Sequence, residues 1–195
     1  MNFDEMKTEE LNDYIFSEIK ISSYEKTIIK SFEDFYLDKN NVNIFTEILS
    51  SDISIRLIDY FIIKYSKNNK IILNVKSKNK VNMFVIYVSY KNQLRKWNKK
   101  YFDPFSRGTR IPYFITQDKC IITTIGQLNF FKWFIENNIH EYVYQYNNII
   151  EKDMNEANKK NKEINKKKSK TRPKQIVLDK PKPVEKYSKI RVSFF

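Results

Sequence analysis

Glycine is almost missing from this chain: among 195 residues only Gly108 and Gly126 are present. A P-loop or a dinucleotide fingerprint needs several glycines so that backbone can turn tightly against a phosphate, so both are excluded. One cysteine, Cys120, and one histidine, His140, exclude an intramolecular disulfide, a Cys/His zinc finger and any site built on two imidazoles. A single thiol fits a reducing compartment. No run approaches the ~18 consecutive apolar residues of a membrane span, and the first ten residues are acidic rather than a basic leader. The expectation is a soluble, unsecreted chain with no membrane partner, no cofactor, no metal and no small-molecule substrate.

What the chain does have is apolar mass and positive charge. Hydrophobic residues make up 41% and aromatic residues 15%, enough for a real core. Lys and Arg number 36 against 23 Asp and Glu, a formal charge of +13. Heavy use of Asn, Ile and Lys fits a genome rich in A and T, which by itself inflates the lysine count. Uniform inflation would not polarise the chain, however. Residues 1–50 carry 11 acids against 5 bases, 51–150 carry 6 against 16, and 151–189 carry 6 against 14. The basic central and C-terminal segments are therefore expected to meet something anionic.

Apolar spacing divides the chain into regions. Leu11, Tyr14, Ile15 and Ile19 recur at helical intervals after Thr8. Ser22-Ser23-Tyr24-Glu25 has the form of a capping box ahead of Ile28, Ile29, Phe32, Phe35 and Tyr36. A shorter cluster, Ile44, Phe45, Ile48 and Leu49, precedes a stripe of Leu57, Ile58, Phe61, Ile62 and Tyr65 that starts from a cap near Ser51 or Ser54 and stops by Asn68-Asn69. Residues 1–69 thus read as a helical N-terminal region.

Periodicity then changes. Ile71, Ile72, Leu73 and Val75, a polar turn at 77–80 and a long Val/Ile/Phe/Tyr run at 81–90 predict a hairpin. In the second run Met83, Val85 and Tyr87 alternate with Phe84, Ile86 and Val88, so both faces are apolar and a central strand is expected. Residues 110–115 predict a strand held to an edge by Pro112, which lacks a ladder donor. After the Gln117-Asp118-Lys119 turn, 120–123 predict another, with Cys120 buried in it. Thr124-Ile125-Gly126-Gln127 repeats the capping-box spacing before a helix to about Asn138. That helix holds Phe130, Phe131, Trp133 and Phe134, four large rings in five positions, so at least one is expected at an interface.

A further helical pattern through Tyr142, Val143, Tyr146, Ile149, Ile150 and Met154 fades by 156. Residues 70–156 read as an α+β core, and 157–189, mostly Lys, Asn, Glu and Pro, as a frayed helix leading into a disordered basic arm. Residues 190–195 alternate apolar and polar, as either an added strand or a docking peptide would. The fold class expected is α+β: N-terminal helices, a small mostly antiparallel sheet, C-terminal helices and a disordered basic tail.

Residues 90–110 concentrate the chemistry: seven bases, one acid and five aromatics. A helix from Lys91 places Tyr90, Leu94, Trp97 and Tyr101 on one face, with Lys91, Arg95, Lys96, Lys99 and Lys100 around the rest. Cations attract phosphate by releasing counterions, and an exposed ring such as Trp97 stacks bases, so these residues are candidates for nucleic acid. The plain alternative is that the aromatics face the core and the lysines are merely solvated. Arg107 and Arg110 flank Gly108 and either present guanidiniums to an anion or leave one of them pairing with Asp103 to brace the turn. Lys166, Lys167, Lys168 and Arg172 form a second basic run, a nucleic-acid contact, an import signal or a solvated tail. Catalytic arrangements are weak: Cys120 and His140 need folding to join them, and Asp103, Asp118, Glu136 and Glu141 have no metal-site spacing.

Several pieces of the chain carry a family resemblance: Ser89-Tyr90-Lys91 with Gln93-Leu94, then Lys99-Lys100, Phe102-Asp103-Pro104-Phe105, Arg107 and Arg110-Ile111, and finally Thr123-Thr124-Ile125-Gly126-Gln127-Leu128-Asn129-Phe130-Phe131. Through these, residues 90–139 resemble poorly characterised proteins of nucleocytoplasmic large DNA viruses, the giant viruses among them. A cysteine often follows the second Phe of that family's Phe-Asp-Pro-Phe block. Ser106 stands there in this chain, so no thiol role carries over. The resemblance implies a virus with a cytoplasmic phase and an A and T rich genome, and it implies no activity and no catalytic residues. On this reading the chain is a nonenzymatic viral protein associated with DNA or RNA in packaging, replication or transcription, in the viral factory of the host cytoplasm or in the virion. The rival is a virion or assembly scaffold that docks other viral proteins.

Overall fold

Where the first apolar stripes recur at helical spacing, helices form, in a computed structural model that describes residues 6–77 and 80–171. Helix α1 (Thr8–Glu18) buries Leu11 and Phe16, and α2 (Ser23–Leu37) buries Ile28, Ile29, Phe32, Phe35 and Tyr36. The expected capping box starts α2: the Ser22 hydroxyl accepts from the Glu25 N–H at 3.2 Å while the Glu25 carboxylate accepts from the Ser22 N–H at 3.1 Å. Asp38 caps α3 (Lys39–Ser50), accepting from the Asn40 N–H at 2.8 Å. Ser54 caps α4 (Ile55–Tyr60), which runs through a π-helical segment, Phe61–Tyr65, into the short α5 (Ser66–Asn68).

Two antiparallel hairpins replace the one small sheet expected. Strand β1 (Ile72–Ser77) pairs with β2 (Lys80–Val85), and β3 (Arg110–Thr116) pairs with β4 (Lys119–Thr124). Between them lies α6 (Ile86–Trp97). The run at 81–90 is thus not one central strand; it turns helical at Ile86. Helical spacing lets Ile86 and Tyr90 enter the core together, and this burial outweighs the strand propensity of Ile86, Tyr87 and Val88. Among the described residues β2 pairs with β1 alone, and Met83 and Val85 are exposed.

In the second hairpin Ile111, Tyr113 and Ile115 face inward and Pro112 lies on an edge strand. The free edge of β3 is covered by Asn12 of α1, whose side-chain amide donates to the Phe114 carbonyl at 2.9 Å and accepts from the Phe114 N–H at 2.8 Å, as a neighbouring strand would. Cys120 is exposed, against expectation. The ladder pairs it with Phe114 and pairs Ile122 with Pro112, and the alternation that turns Thr123 inward turns Cys120 and Ile122 out.

Helix α7 (Ile125–Glu136) is the centre of the core. Phe130, Phe131, Trp133 and Phe134 are all buried, so none marks an interface. The helix is enclosed on several sides: α2 and α3 pack on it, with Phe45 5.4 Å from Phe131 between ring centroids, while Phe102 lies 5.5 Å from Trp133 elsewhere on its circumference. A helix that buries side chains on most of its circumference is stable because it is surrounded, and only the Lys132–Glu136 pair keeps a polar strip on it.

Helix α8 runs Ile139–Thr171 with a break in helical geometry at Tyr146. The chain divides into two compact units between Asn158 and Lys159, so the described part of the second unit is the end of α8. Helix therefore continues well past 156, through residues expected to fray. Arg172, the Pro181-Lys182-Pro183 spacer and the alternating segment 190–195 lie outside the described residues.

Candidate nucleic-acid interface

The inward side of α6 is fixed by packing. Ile86 and Tyr90 are buried, Trp97 is half-buried, and the Trp133 indole N–H donates to the Ser89 hydroxyl at 3.0 Å, tying α6 to α7. At 3.6 residues per turn, that leaves Val88, Lys91, Asn92 and Arg95 on the opposite side with Lys96 beside them, and all five are exposed. No acid occurs in α6. The Lys91 ammonium sits 5.6 Å from the Tyr87 ring centroid, and Lys67 of α5 approaches the same ring at 5.3 Å. One aromatic ring therefore holds two cations in proximity. Lys67 was invisible to sequence reasoning, since its approach to Tyr87 depends on α5 packing against α6.

Beyond α6 the cations are used differently. Lys100 donates to the Glu25 carboxylate at 3.1 Å and to the Tyr101 hydroxyl at 2.9 Å. Burial alone would raise the Glu25 pKa, yet the Ser22 N–H and hydroxyl, Lys100 and Tyr101 outweigh it and hold the group at about 2. Arg107 grips the buried Asp103 with two bonds, Nε to Oδ2 at 3.0 Å and Nη2 to Oδ1 at 2.5 Å, and lies 5.0 Å from the Phe105 ring centroid. Of the two readings of Arg107, the structure contains the bracing one. Asp59 adds a second carboxylate near this guanidinium; burial raises its pKa, and the charge of Arg107 opposes the rise. Tyr90, raised by burial and then by Asp59 and Asp103, is pushed up to about 12.

Trp97 is half-buried beside the core, its indole N–H donates to Gln93 Oε1 at 3.0 Å, and the Lys96 ammonium lies 4.3 Å from its ring centroid. Tyr90 and Tyr101 are buried. The aromatic side of the segment therefore faces inward. Among the described residues Lys91, Arg95, Lys96, Lys99 and Arg110 make no ion pair. Lys166, Lys167 and Lys168 belong to α8 in the second unit.

The two sequence blocks that carry the family resemblance interlock. The Asp103 N–H donates to the Gly126 carbonyl at 3.1 Å, the Gln127 amide to the Pro104 carbonyl at 2.9 Å, and the Asn129 amide to the Tyr101 carbonyl at 2.8 Å. Thr124 caps α7 by accepting from the Gln127 N–H at 3.1 Å. The Gln127 side chain does not complete a capping box, because its oxygen accepts from the Thr123 hydroxyl at 2.8 Å and its nitrogen is spent on Pro104. Gly126 permits the close approach: a Cβ there would lie 2.7 Å from the Lys100 carbonyl oxygen. Sequence reasoning missed Gln127 and Asn129 as anchors. Their signal was two amides in the apolar first half of the helix, which must find partners when buried.

Nothing assembles a catalytic pair from Cys120 and His140. Cys120 is exposed on β4, whereas His140 is buried beside Phe134 and Tyr144, where desolvation lowers its pKa. Among the described residues no group of three or more His, Cys, Asp and Glu side chains is placed to hold a metal ion, and no described helix is long and apolar enough to cross a membrane.

Fold and surface together define a helix-rich α+β protein with a hydrogen-bonded, ion-paired loop next to a basic helix. The chain belongs to a family of unknown function, DUF7197, whose model matches residues 7–191. An uncharacterized protein of Acanthamoeba polyphaga mimivirus is 48% identical over 118 residues, which is 58% of this chain and 46% of the relative. The chain thus spans about half the length of that relative. Both findings agree with the giant-virus resemblance of residues 90–139. No solved structure matches.

Proposed function

We propose that this viral protein is nonenzymatic and associates with DNA or RNA, as a packaging factor or as an accessory of replication or transcription, in the viral factory or the virion. The observation that carries the reading is the outward side of α6, where Lys91, Arg95 and Lys96 stand exposed on a helix without a single acid. Lys67 enlarges this surface through Tyr87, and Lys99 and Arg110 add exposed charge farther along the chain. Lys100 and Arg107 are left out of it, because their charge already serves Glu25 and Asp103. With Trp97 turned toward the core, attraction rests on phosphate contacts rather than base stacking.

Five cations from 91 to 110 without an ion pair among the described residues imply a steep salt dependence, with a log-log slope of about −4.5 on duplex DNA if each meets a phosphate. Titrating labelled single-stranded and duplex DNA and RNA at two salt concentrations tests the reading. Salt-sensitive binding supports it. Absence of binding at low salt, or binding indifferent to salt, removes it.

One observation favours the scaffold reading instead: Ile72, Met83 and Val85 are exposed together on one face of the β1–β2 hairpin, with Val88 exposed just beyond in the chain. Purification from infected cells after nuclease treatment separates the two. Viral partners that survive digestion favour the scaffold; partners that vanish favour nucleic acid.

A further inference from the structure

The described side chains at the end of α8 lie in solvent. Lys159, Lys160, Asn161, Lys162, Glu163, Ile164 and Asn165 are all exposed, and from 159 to 171 the sequence holds seven lysines, one acid and one apolar residue, Ile164. A helix polar all round is ordinarily weak, and here like charges three and four residues apart oppose it further. The charges nevertheless have an order. Lys159, Lys162, Lys166 and Lys170 recur at i, i+3, i+7 and i+11, a spacing that places all four on one helix face, with Lys160 and Lys167 next to that line. Asn158, Asn161, Asn165 and Ser169 fall on another face.

We propose that the stretch Lys159–Thr171 of α8 is a duplex-binding helix whose lysine line lies along the phosphates of double-stranded nucleic acid, and whose helical form is reinforced by that contact. This rests on the nucleic-acid reading above and deepens it by naming the strandedness of the partner. The choice of polyanion follows from the chemistry of the helix. It carries no aromatic ring on which an unpaired base could stack, so it gains nothing specific from a single strand. A duplex offers denser charge, about one phosphate per 1.7 Å of axis, and a major groove wide enough to admit an α-helix. Lysine positions spaced by three and four residues rise about 4.5 and 6 Å along the helix, so the four of them span about 16 Å of its length. No arginine lies between 159 and 171, so lysine contacts to phosphate, which position a helix without reading bases, carry the affinity proposed for it.

The full-length chain and its K159Q/K162Q/K166Q/K170Q variant test this, since glutamine keeps helix propensity while removing the charge. Fluorescence anisotropy with labelled duplex and single-stranded DNA of equal length reads affinity, and far-ultraviolet circular dichroism reads helix content with and without duplex. The expected result is tighter binding to duplex than to single strand and a gain of helical signal on adding duplex. The variant should lose about tenfold or more in duplex affinity, show a salt slope shallower by about 3 to 4, and lose the helical gain. A variant that binds duplex as the native chain does, while K91E/R95E/K96E weakens binding, overturns this inference and leaves the α6 reading standing. Preference for single strands, or displacement by polyglutamate as effective as by unlabelled duplex, also overturns it. If the native chain binds no nucleic acid at low salt, both readings fall.

Discussion

Within one stretch of twenty residues the cations of α6 and two of those in the loop that follows, Lys100 and Arg107, meet opposite fates. Lys91, Arg95 and Lys96 project from a helix that has no acid and make no ion pair. Lys100 and Arg107 reach carboxylates on Glu25 and Asp103 and become part of the frame. The difference lies in what the neighbouring chain supplies. The loop passes over the start of α7 and alongside the capping box of α2, where oxygen atoms are already fixed by hydrogen bonds. The outward side of α6 faces no such neighbour among the described residues. A basic segment is thus a sum of bracing charge and available charge, and only the second kind is free for a polyanion.

If the loop is frame and α6 is surface, substitutions should divide accordingly. The largest effect is expected from Phe102→Ala, which removes a fully enclosed ring touching Tyr90, Phe130 and Trp133. It should destabilise by about 3–5 kcal/mol in urea unfolding. A loss below ~1 kcal/mol would mean that the loop is not anchored through this ring. Next, K91E/R95E/K96E should weaken duplex binding about a hundredfold, ~2.8 kcal/mol, with an unchanged melting temperature, while Lys100→Gln leaves affinity within about twofold. Equal losses from the two variants would erase the distinction between the two groups of cations.

Smaller effects sharpen the same division. Gly126→Ala should cost about 1–3 kcal/mol, because the new methyl meets the Lys100 carbonyl, backbone that cannot simply rotate away. Thermal or urea unfolding reads it directly. The smallest effect is electrostatic. Glu25 has a depressed pKa in the folded chain, so its contribution is full above the ordinary carboxylate value of 4.5 and is lost as pH falls toward about 2. Glu25→Gln should therefore be less stable than the native chain by about 1 kcal/mol at neutral pH, with the gap closing between those two values. A gap independent of pH would show that the carboxylate charge plays no part.

Elements whose signals are local were legible in advance. Ser22 and Glu25 sit three residues apart and could announce the start of α2, and Pro112 could announce an edge strand. The switch at Ile86 was not legible, because Ile, Tyr and Val satisfy an alternating pattern as well as a helical one until the position of the core is known. Cys120 illustrates the same limit in a strand. Alternation gives two faces but does not say which is inward, and a shift of one residue exchanges them. The pairings Glu25–Lys100 and Tyr101–Asn129 join distant segments, so no local spacing could reveal them.

By itself, the sequence determined composition, charge polarity, most helix starts and the existence of both hairpins, since these follow from neighbouring side chains and backbone preferences. Tertiary structure decided where the run at 81–90 turns helical, which aromatics are enclosed, which way Cys120 points and which cations remain available. Those outcomes depend on burial and on partners brought from far along the chain, and both arise only once the helices and hairpins have packed around α7.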